Sequence, residues 1–323
     1  MGRFHADAAH RAGGAIVAVI DCNKSAADAL ARRFPGSVPS SRLGDLLLNT
    51  RPDIVHICTP DMTHSTLAFE VAAAGAHALI EKPLAPNVEE VQNVLTRFAA
   101  ASSFVVPAHQ YAFQPVIEKI VANLGTLGQL RRIQFDIRSA GADNDMARFD
   151  EVAKTILPHP LSLLQRFLPA VDVGLIPWTV SKASAGEFLV TAVADNIILA
   201  IAISMNGRPT RFSTSLLGDC GSIEIDNFNG YSFGSPALST RFYKISAPFR
   251  NAASQFSSAS VGLAARLAQR EYGYVGLRSL VRAFQVAVRS GNADDLPITP
   301  SQIRANAIAC TIIGGQADWA THG

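Results

Sequence analysis

Two domains are predicted, an α/β domain built on a parallel sheet and then an α+β domain with a large, mainly antiparallel open sheet, and three features predict them. Residues 15–107 alternate short apolar runs with helix-period segments, the pattern of βαβ units. Beyond residue 110, strand-like runs follow one another with few helices between them, which suits antiparallel pairing. The chain has 323 residues, 48% of them hydrophobic, more than a single core usually organises. The boundary is expected between residues 108 and 109, giving domains 1–108 and 109–323.

Taken in order, the apolar runs at 15–20, 54–58, 77–80 and 104–106 are short, mostly rich in Val and Ile, and read as buried parallel strands. Helices fill the gaps. Val88, Val91, Leu95 and Phe98 mark one apolar helix face, Asn87 stands at its N-cap, and Glu89 and Glu90 suit the positive end of the helix dipole. A helix over 116–124 opens the second domain, followed by strand-like stretches at 132–137, 188–194, 197–204 and 223–225. Leu277, Leu280, Val281, Phe284 and Val288 mark a late amphipathic helix, and Thr299-Pro300 opens another with Pro in the first turn. Residues 252–260, rich in Ser and Ala, are read as a loop or an oligomer arm, with a plain surface loop preferred.

Charge narrows the class of function. Lys and Arg number 28 against 26 Asp and Glu, so no basic field suited to a phosphate backbone is present and nucleic acid is not expected as a partner. The four cysteines form no CxxC pair, so neither a zinc-ligand spacing nor a disulfide framework is expected. The longest apolar run, residues 197–203, is far below the ~20 residues of a membrane span, and Met1-Gly2-Arg3-Phe4-His5 resembles no export signal. A cytoplasmic protein without a membrane partner is the expectation.

The segments that point to chemistry are Ile57-Cys58-Thr59-Pro60-Asp61-Met62-Thr63-His64 and Glu81-Lys82-Pro83. Both leave the carboxyl end of a predicted parallel strand, where open α/β sheets bind ligands. A Lys before Pro is otherwise an ordinary solvated loop residue. His109 and Gln110 follow the last strand of the first domain, where a plain domain-linker turn competes with a ligand-facing role. Asp21 closes the 15–20 strand, where a carboxylate can bond ribose hydroxyls and repel a 2′-phosphate, or serve as a turn residue. His56 and His77 are read as packed, Cys58 as a small buried hydrophobe, and Asp143 and Asp145 as a solvated loop that could hold a polyol. No metal cluster is visible.

The turn TP-x-x-x-H followed by EKP resembles the glucose-fructose oxidoreductase, inositol dehydrogenase and rhizopine catabolism family (Gfo/Idh/MocA) over nearly the whole chain. The resemblance implies a dinucleotide-binding Rossmann domain and a substrate-binding, oligomerising α+β domain. It places Lys82 near the nicotinamide and substrate, beside a cis bond to Pro83, with Glu81 in the same motif. It assigns Thr59, Pro60 and His64 to the dinucleotide and brings His109 and Gln110 close to nicotinamide and substrate.

The family's Asp and His, one turn apart on a helix, correspond here to Thr155 and His159. Thr cannot hold a charge, so the acid/base pair is incomplete. Gly2 and His5 match the end of the family's GxGxxG turn and its following His, whereas the first strand and two leading glycines are absent. Such a strand buries on the order of 10 kcal/mol of apolar side chain, which favours a truncated reading frame over a reduced fold.

The resemblance thus implies an oxidoreductase using NAD, with NADP as the lesser alternative, on a secondary alcohol or carbonyl of a sugar, polyol or related cyclic compound. It also implies a homodimer or homotetramer formed through the open sheet. The alternative is a non-catalytic or degenerate family member with a regulatory or binding role, for which Thr155 and the missing strand speak.

Overall fold

The computed structural model describes residues 1–139, 148–237, 240–269, 271 and 273–319. Asp143 and Asp145 lie outside these residues.

The chain forms two compact units, residues 1–110 with 276–307 and residues 111–275 with 308–323. This departs from the expected division into 1–108 and 109–323, because the late helices return to the first unit. The reason is tertiary: α1 (Gly2–Arg11) packs against α10 (Leu277–Ser290), whose apolar face of Leu277, Leu280, Val281 and Phe284 is buried. Arg278 Nη2 donates to the Arg11 carbonyl at 3.3 Å, and Gln285 Nε2 donates to the Ala9 carbonyl at 3.5 Å.

Five short strands of the first unit run parallel. β1 (Ala18–Ile20) pairs with β2 (Val38–Ser40), and β3 (Ile54–Ile57), β4 (His77–Ile80) and β5 (Val105–Pro107) pair in that order. Between them lie α2 (Lys24–Ala31), α3 (Leu43–Thr50), α4 (His64–Ala73) and α5 (Val88–Ala100). Asn87 caps α5 as expected, its side chain accepting from the Glu90 amide at 2.9 Å.

The parallel sheet is therefore split in two. Among the described residues no strand pairs with β1 on its side away from β2, or with β3 on its side away from β4. β1 is only half-buried and β3 mostly so, while β5 is buried throughout. Parallel strands covered on both faces are ordinarily buried along their length, so the edges of β1 and β3 stand open by comparison with β5.

The second unit begins with α6 (Pro115–Ala122) and is built on a seven-stranded sheet of β6 (Leu130–Arg138), β7 (Thr179–Ser184), β8 (Glu187–Ala194), β9 (Ile197–Ser204), β10 (Arg211–Gly218), β11 (Gly221–Asp226) and β12 (Tyr231–Pro236). Their spatial order is β12-β11-β10-β6-β9-β8-β7, antiparallel except for the β6–β9 pair. Alternation assigns the faces. Ile133, Phe135 and Ile137 of β6 and Leu199, Ile201 and Ile203 of β9 are buried, whereas Leu189, Val193 and Ile198 on the other face are exposed.

Helices α7 (Phe149–Ile156) and α11 (Pro300–Trp319) reach the buried face, where Ala153, Leu157, Phe188, Val190, Ile203 and Ile313 line a small apolar hollow. α8 (Pro158–Phe167) follows α7 directly, and α9 (Arg241–Gln269) runs along β12. Residues 252–260 thus lie inside a helix, which corrects the preference for a surface loop. No described helix is long and apolar enough to cross a membrane.

Extending the chain ahead of Met1 with a short Val/Ile strand and a glycine-containing turn is expected to raise the melting temperature by roughly 5 °C or more, since it buries the two open edges. Calorimetry of the two chains checks this, and an unchanged transition would show that the edges accept no strand.

Candidate active site

Three loops leave the carboxyl ends of β3, β4 and β5, and together they carry most of the residues singled out from sequence. Thr59 and Pro60 follow β3, Glu81 and Lys82 follow β4, and His109 and Gln110 follow β5. The peptide bond between Lys82 and Pro83 is cis.

The loop after β4 joins a chain of buried and half-buried polar groups. His5, from the first turn of α1 and 1% exposed, places Nε2 3.0 Å from Glu81 Oε1 and Nδ1 3.1 Å from Nδ1 of His56 on β3. A carboxylate only accepts, so His5 gives its Nε2 proton to Glu81, and of the two Nδ1 atoms of His5 and His56 one donates to the other. The second carboxylate oxygen, Oε2, accepts from the Lys82 amide at 3.2 Å.

Burial, reinforced by the nearby His5, pushes His56 down to about 3. For Glu81, burial acts upward, but the His5 hydrogen bond and charge and the Lys82 amide outweigh it, leaving the carboxyl below its ordinary value. Cys58 is pushed up to about 12, mainly by burial and then by Glu81, so its thiol stays protonated.

Burial holds the Lys82 ammonium below the ordinary lysine value, against the opposing pull of Glu81 and Asp61. His109 is 4% exposed, and its Nδ1 has no hydrogen-bond partner among the described residues. Burial, and then the charge of Lys82, push it down to about 4, so it stands neutral at pH 7. A neutral, buried ring nitrogen beside a desolvated ammonium is the kind of polar group that a bound ligand completes.

His64 has a different task. Its Nδ1 lies 2.7 Å from the Pro83 carbonyl and its Nε2 2.9 Å from the Thr59 carbonyl, with the ring 1% exposed. Both nitrogens are engaged by backbone, so His64 ties the two loops together. Thr59 and Pro60 are exposed, and Thr59 Oγ1 accepts from Thr63 Oγ1 at 2.7 Å.

Asp21 is exposed at the end of β1, with Oδ1 accepting from the Asn23 amide at 2.9 Å. Gly2 begins α1, and a Cβ built there would meet nothing within 4 Å, so here its small size serves no close packing. His77 Nδ1 accepts from the Phe104 amide at 2.9 Å, in keeping with a packed role.

In the second unit, His159 is 9% exposed in the first turn of α8, with the Tyr111 ring edge-on at 4.8 Å. Tyr111 also touches Phe212 at 5.0 Å, and burial raises its phenol to about 12. Thr155 does not share a helix with His159. It ends α7, donating from Oγ1 to the Val152 carbonyl at 2.8 Å, and Pro158 has no amide proton with which to carry α7 onward. The expected single helix is interrupted at Leu157, whose backbone stays right-handed helical at φ −51° and ψ −37°.

His56 and Tyr111 were not picked out as site residues. The signals were a polar ring inside an apolar strand for His56 and adjacency to His109-Gln110 for Tyr111. No group of three or more potential metal-ligating side chains occurs among the described residues.

Residues 1–109 match the model of the oxidoreductase family with an NAD-binding Rossmann fold, Gfo/Idh/MocA. An uncharacterised oxidoreductase of Synechocystis is 32% identical over 98 residues, which are 30% of this chain and 26% of that protein. D-glucoside 3-dehydrogenase of Escherichia coli is 32% identical over 79 residues, 24% of this chain and 22% of that protein. The matched region spans about a quarter of the length of these relatives. Among solved structures, levoglucosan dehydrogenase in complex with NADH and levoglucosan superposes with a TM-score of 0.77 over 99% of this chain and 95% of that one, at 16% identity. Residues 1–109 are thus similar to the NAD-binding Rossmann domain of that family, and the chain shares the overall fold of that solved structure.

Unfolding exposes His56, which then binds a proton near pH 6.5, while the folded chain refuses it down to about 3. This contribution is full above pH 6.5 and is lost as pH falls toward 3, and Glu81, held below its ordinary 4.5, acts in the same direction. The melting temperature should therefore fall on acidification through this window, and less steeply in His56→Gln. Identical pH profiles for the two proteins would contradict the half-buried neutral placement of His56.

Proposed function

We propose that the chain is a nicotinamide-dependent oxidoreductase acting on a secondary alcohol or carbonyl of a sugar, polyol or related cyclic compound. The observation that carries this reading is the gathering of Lys82, Glu81 and His109 at the carboxyl ends of adjacent parallel strands, with a buried, partnerless His109 nitrogen. The names of the relatives, a glucoside dehydrogenase among them, support the substrate class.

When bound, the nicotinamide supplies the hydride acceptor or donor. The residues present fit such a cofactor in part. Asp21, at the end of β1, presents a carboxylate where ribose hydroxyls are bonded, which favours NAD over NADP. The first turn of α1 offers backbone amides to an anion, but the leading glycine turn that would complete this cradle is not supplied by residues 1–323.

Lys82 Nζ is the group that would hold and exchange a proton with the reacting hydroxyl, since desolvation brings an ammonium closer to proton release at neutral pH. Glu81 fixes the Lys82 backbone through Oε2 and is itself fixed by His5. His109, neutral and buried, is suited to hydrogen-bond the cofactor or substrate. In the second unit, this reading assigns proton exchange to His159.

A non-catalytic binding role is the competing reading, and Thr155 favours it, because a hydroxyl bonded to the Val152 carbonyl supplies no charge. Screening sugars and polyols for NADH formation separates the two. Lys82→Ala is expected to lower turnover by roughly 100-fold or more with little change in NAD affinity, the loss typical of a positioned acid/base group. Unchanged turnover in a folded variant removes Lys82 from the mechanism, and NAD binding without turnover on any substrate in the parent supports the competing reading.

A further inference from the structure

α9 is attached by its polar side. Asn251 Oδ1 accepts from Ser235 Oγ at 2.9 Å, Ser258 Oγ donates to the Ser232 carbonyl, and Arg266 Nη1 donates to the Asn229 carbonyl at 3.3 Å. Gln255 Nε2 also reaches Tyr231 Oη at 3.5 Å. The helix covers the open edge of β12, as edge strands require, but it does so with small and polar residues.

Most of the exposed apolar residues point the other way, Val261 excepted. Ile245 is 73% exposed, Phe249 78%, Phe256 77%, Leu263 56% and Leu267 52%. At 3.6 residues per turn these five, with exposed Ala252, fall within a stripe about 60° wide, roughly opposite Asn251 and Ser258. The usual amphipathic arrangement is inverted, and an apolar stripe of this length on a soluble surface marks an interaction site.

We propose that α9 is a self-association helix, whose stripe packs antiparallel against the same stripe of a second copy about a two-fold axis. The sequence of the stripe selects this occupant. Phe249, Phe256 and Leu263 recur every seven residues, and the intervening seam positions 252 and 259 are Ala. Parallel pairing sets large against large and small against small.

An antiparallel pair centred on residue 254 places Phe249 opposite Ala259, Phe256 opposite Ala252 and Ile245 opposite Leu263, so that each large side chain meets a small or aliphatic one. In that register no Lys or Arg of residues 241–269 is mirrored by another, and the two helix dipoles oppose. A lipid surface also suits a basic, apolar helix, but it has no use for alternating large and small positions. The stripe spans about 33 Å, and its covering buries about 650 Å² per copy, or about 1,300 Å² in all, which lies within the range of specific interfaces.

The stripe shares no residue with the exposed sheet face of Leu189, Val193 and Ile198. The test compares particle mass by analytical ultracentrifugation at micromolar concentration for the parent, Phe249→Glu/Phe256→Glu, and Ala252→Phe, each checked for an unchanged fold by circular dichroism. The double variant is expected to halve the parent mass. Ala252→Phe, which fills the position opposite Phe256, is expected to weaken association at least about tenfold although it adds apolar surface.

A monomeric parent, or equal masses in all three proteins, overturns the proposal. Tighter association of Ala252→Phe overturns it as well, because that outcome marks an unspecific apolar patch. Binding of the parent to phosphatidylserine vesicles that the double variant loses without a change of mass assigns the stripe to a lipid surface instead.

Discussion

The contact between His5 and Glu81 is the one on which the first unit is organised. It joins the first turn of α1 to the loop after β4, and through His56 it also engages β3, so three elements are tied at the rim where the candidate site lies. A buried carboxylate is costly unless its lone pairs are met, and here one oxygen is met by His5 and the other by the Lys82 amide. The same satisfied carboxylate fixes the backbone from which Lys82 extends. The arrangement therefore serves stability and site geometry through one set of hydrogen bonds.

The division of labour among the histidines follows from what surrounds each ring. His64 has both nitrogens on carbonyls and acts as a tie between loops. His56 is half-buried against His5 and stays neutral. His109 shares this neutrality but keeps an unmatched nitrogen, and this difference makes it a ligand-facing candidate where His56 is not. Residue type alone does not distinguish them, because the decisive quantity is the number of partners in the folded chain.

Local signals were legible in the sequence wherever one residue decides one hydrogen bond or one strand. Asn87 at its cap, the Val/Ile runs of the parallel strands and the placement of Lys82 after β4 are of this kind. What was not legible depends on distant partners. The return of residues 276–307 to the first unit rests on α10 meeting α1, which nothing near either segment announces. Residues 252–260 read as a loop because their Ser and Ala suit one, and they are helical because β12 supplies partners for their polar side. Thr155 and His159 show the spacing of one helix, and Pro158 between them removes one hydrogen bond from it while Leu157 keeps helical dihedrals.

The discontinuous first unit bears on how the chain is made. On the ribosome, residues 1–110 emerge first, yet the helix that covers α1 lies beyond residue 276. At ~5–20 residues per second, the intervening segment takes roughly 10–30 s to synthesise. Throughout that interval the nascent unit has α1 uncovered on its α10 side and the half-buried edges of β1 and β3 open. A translating cell therefore holds this domain as an unfinished client, and the window for chaperone capture or for mispairing closes when the last two helices leave the exit tunnel.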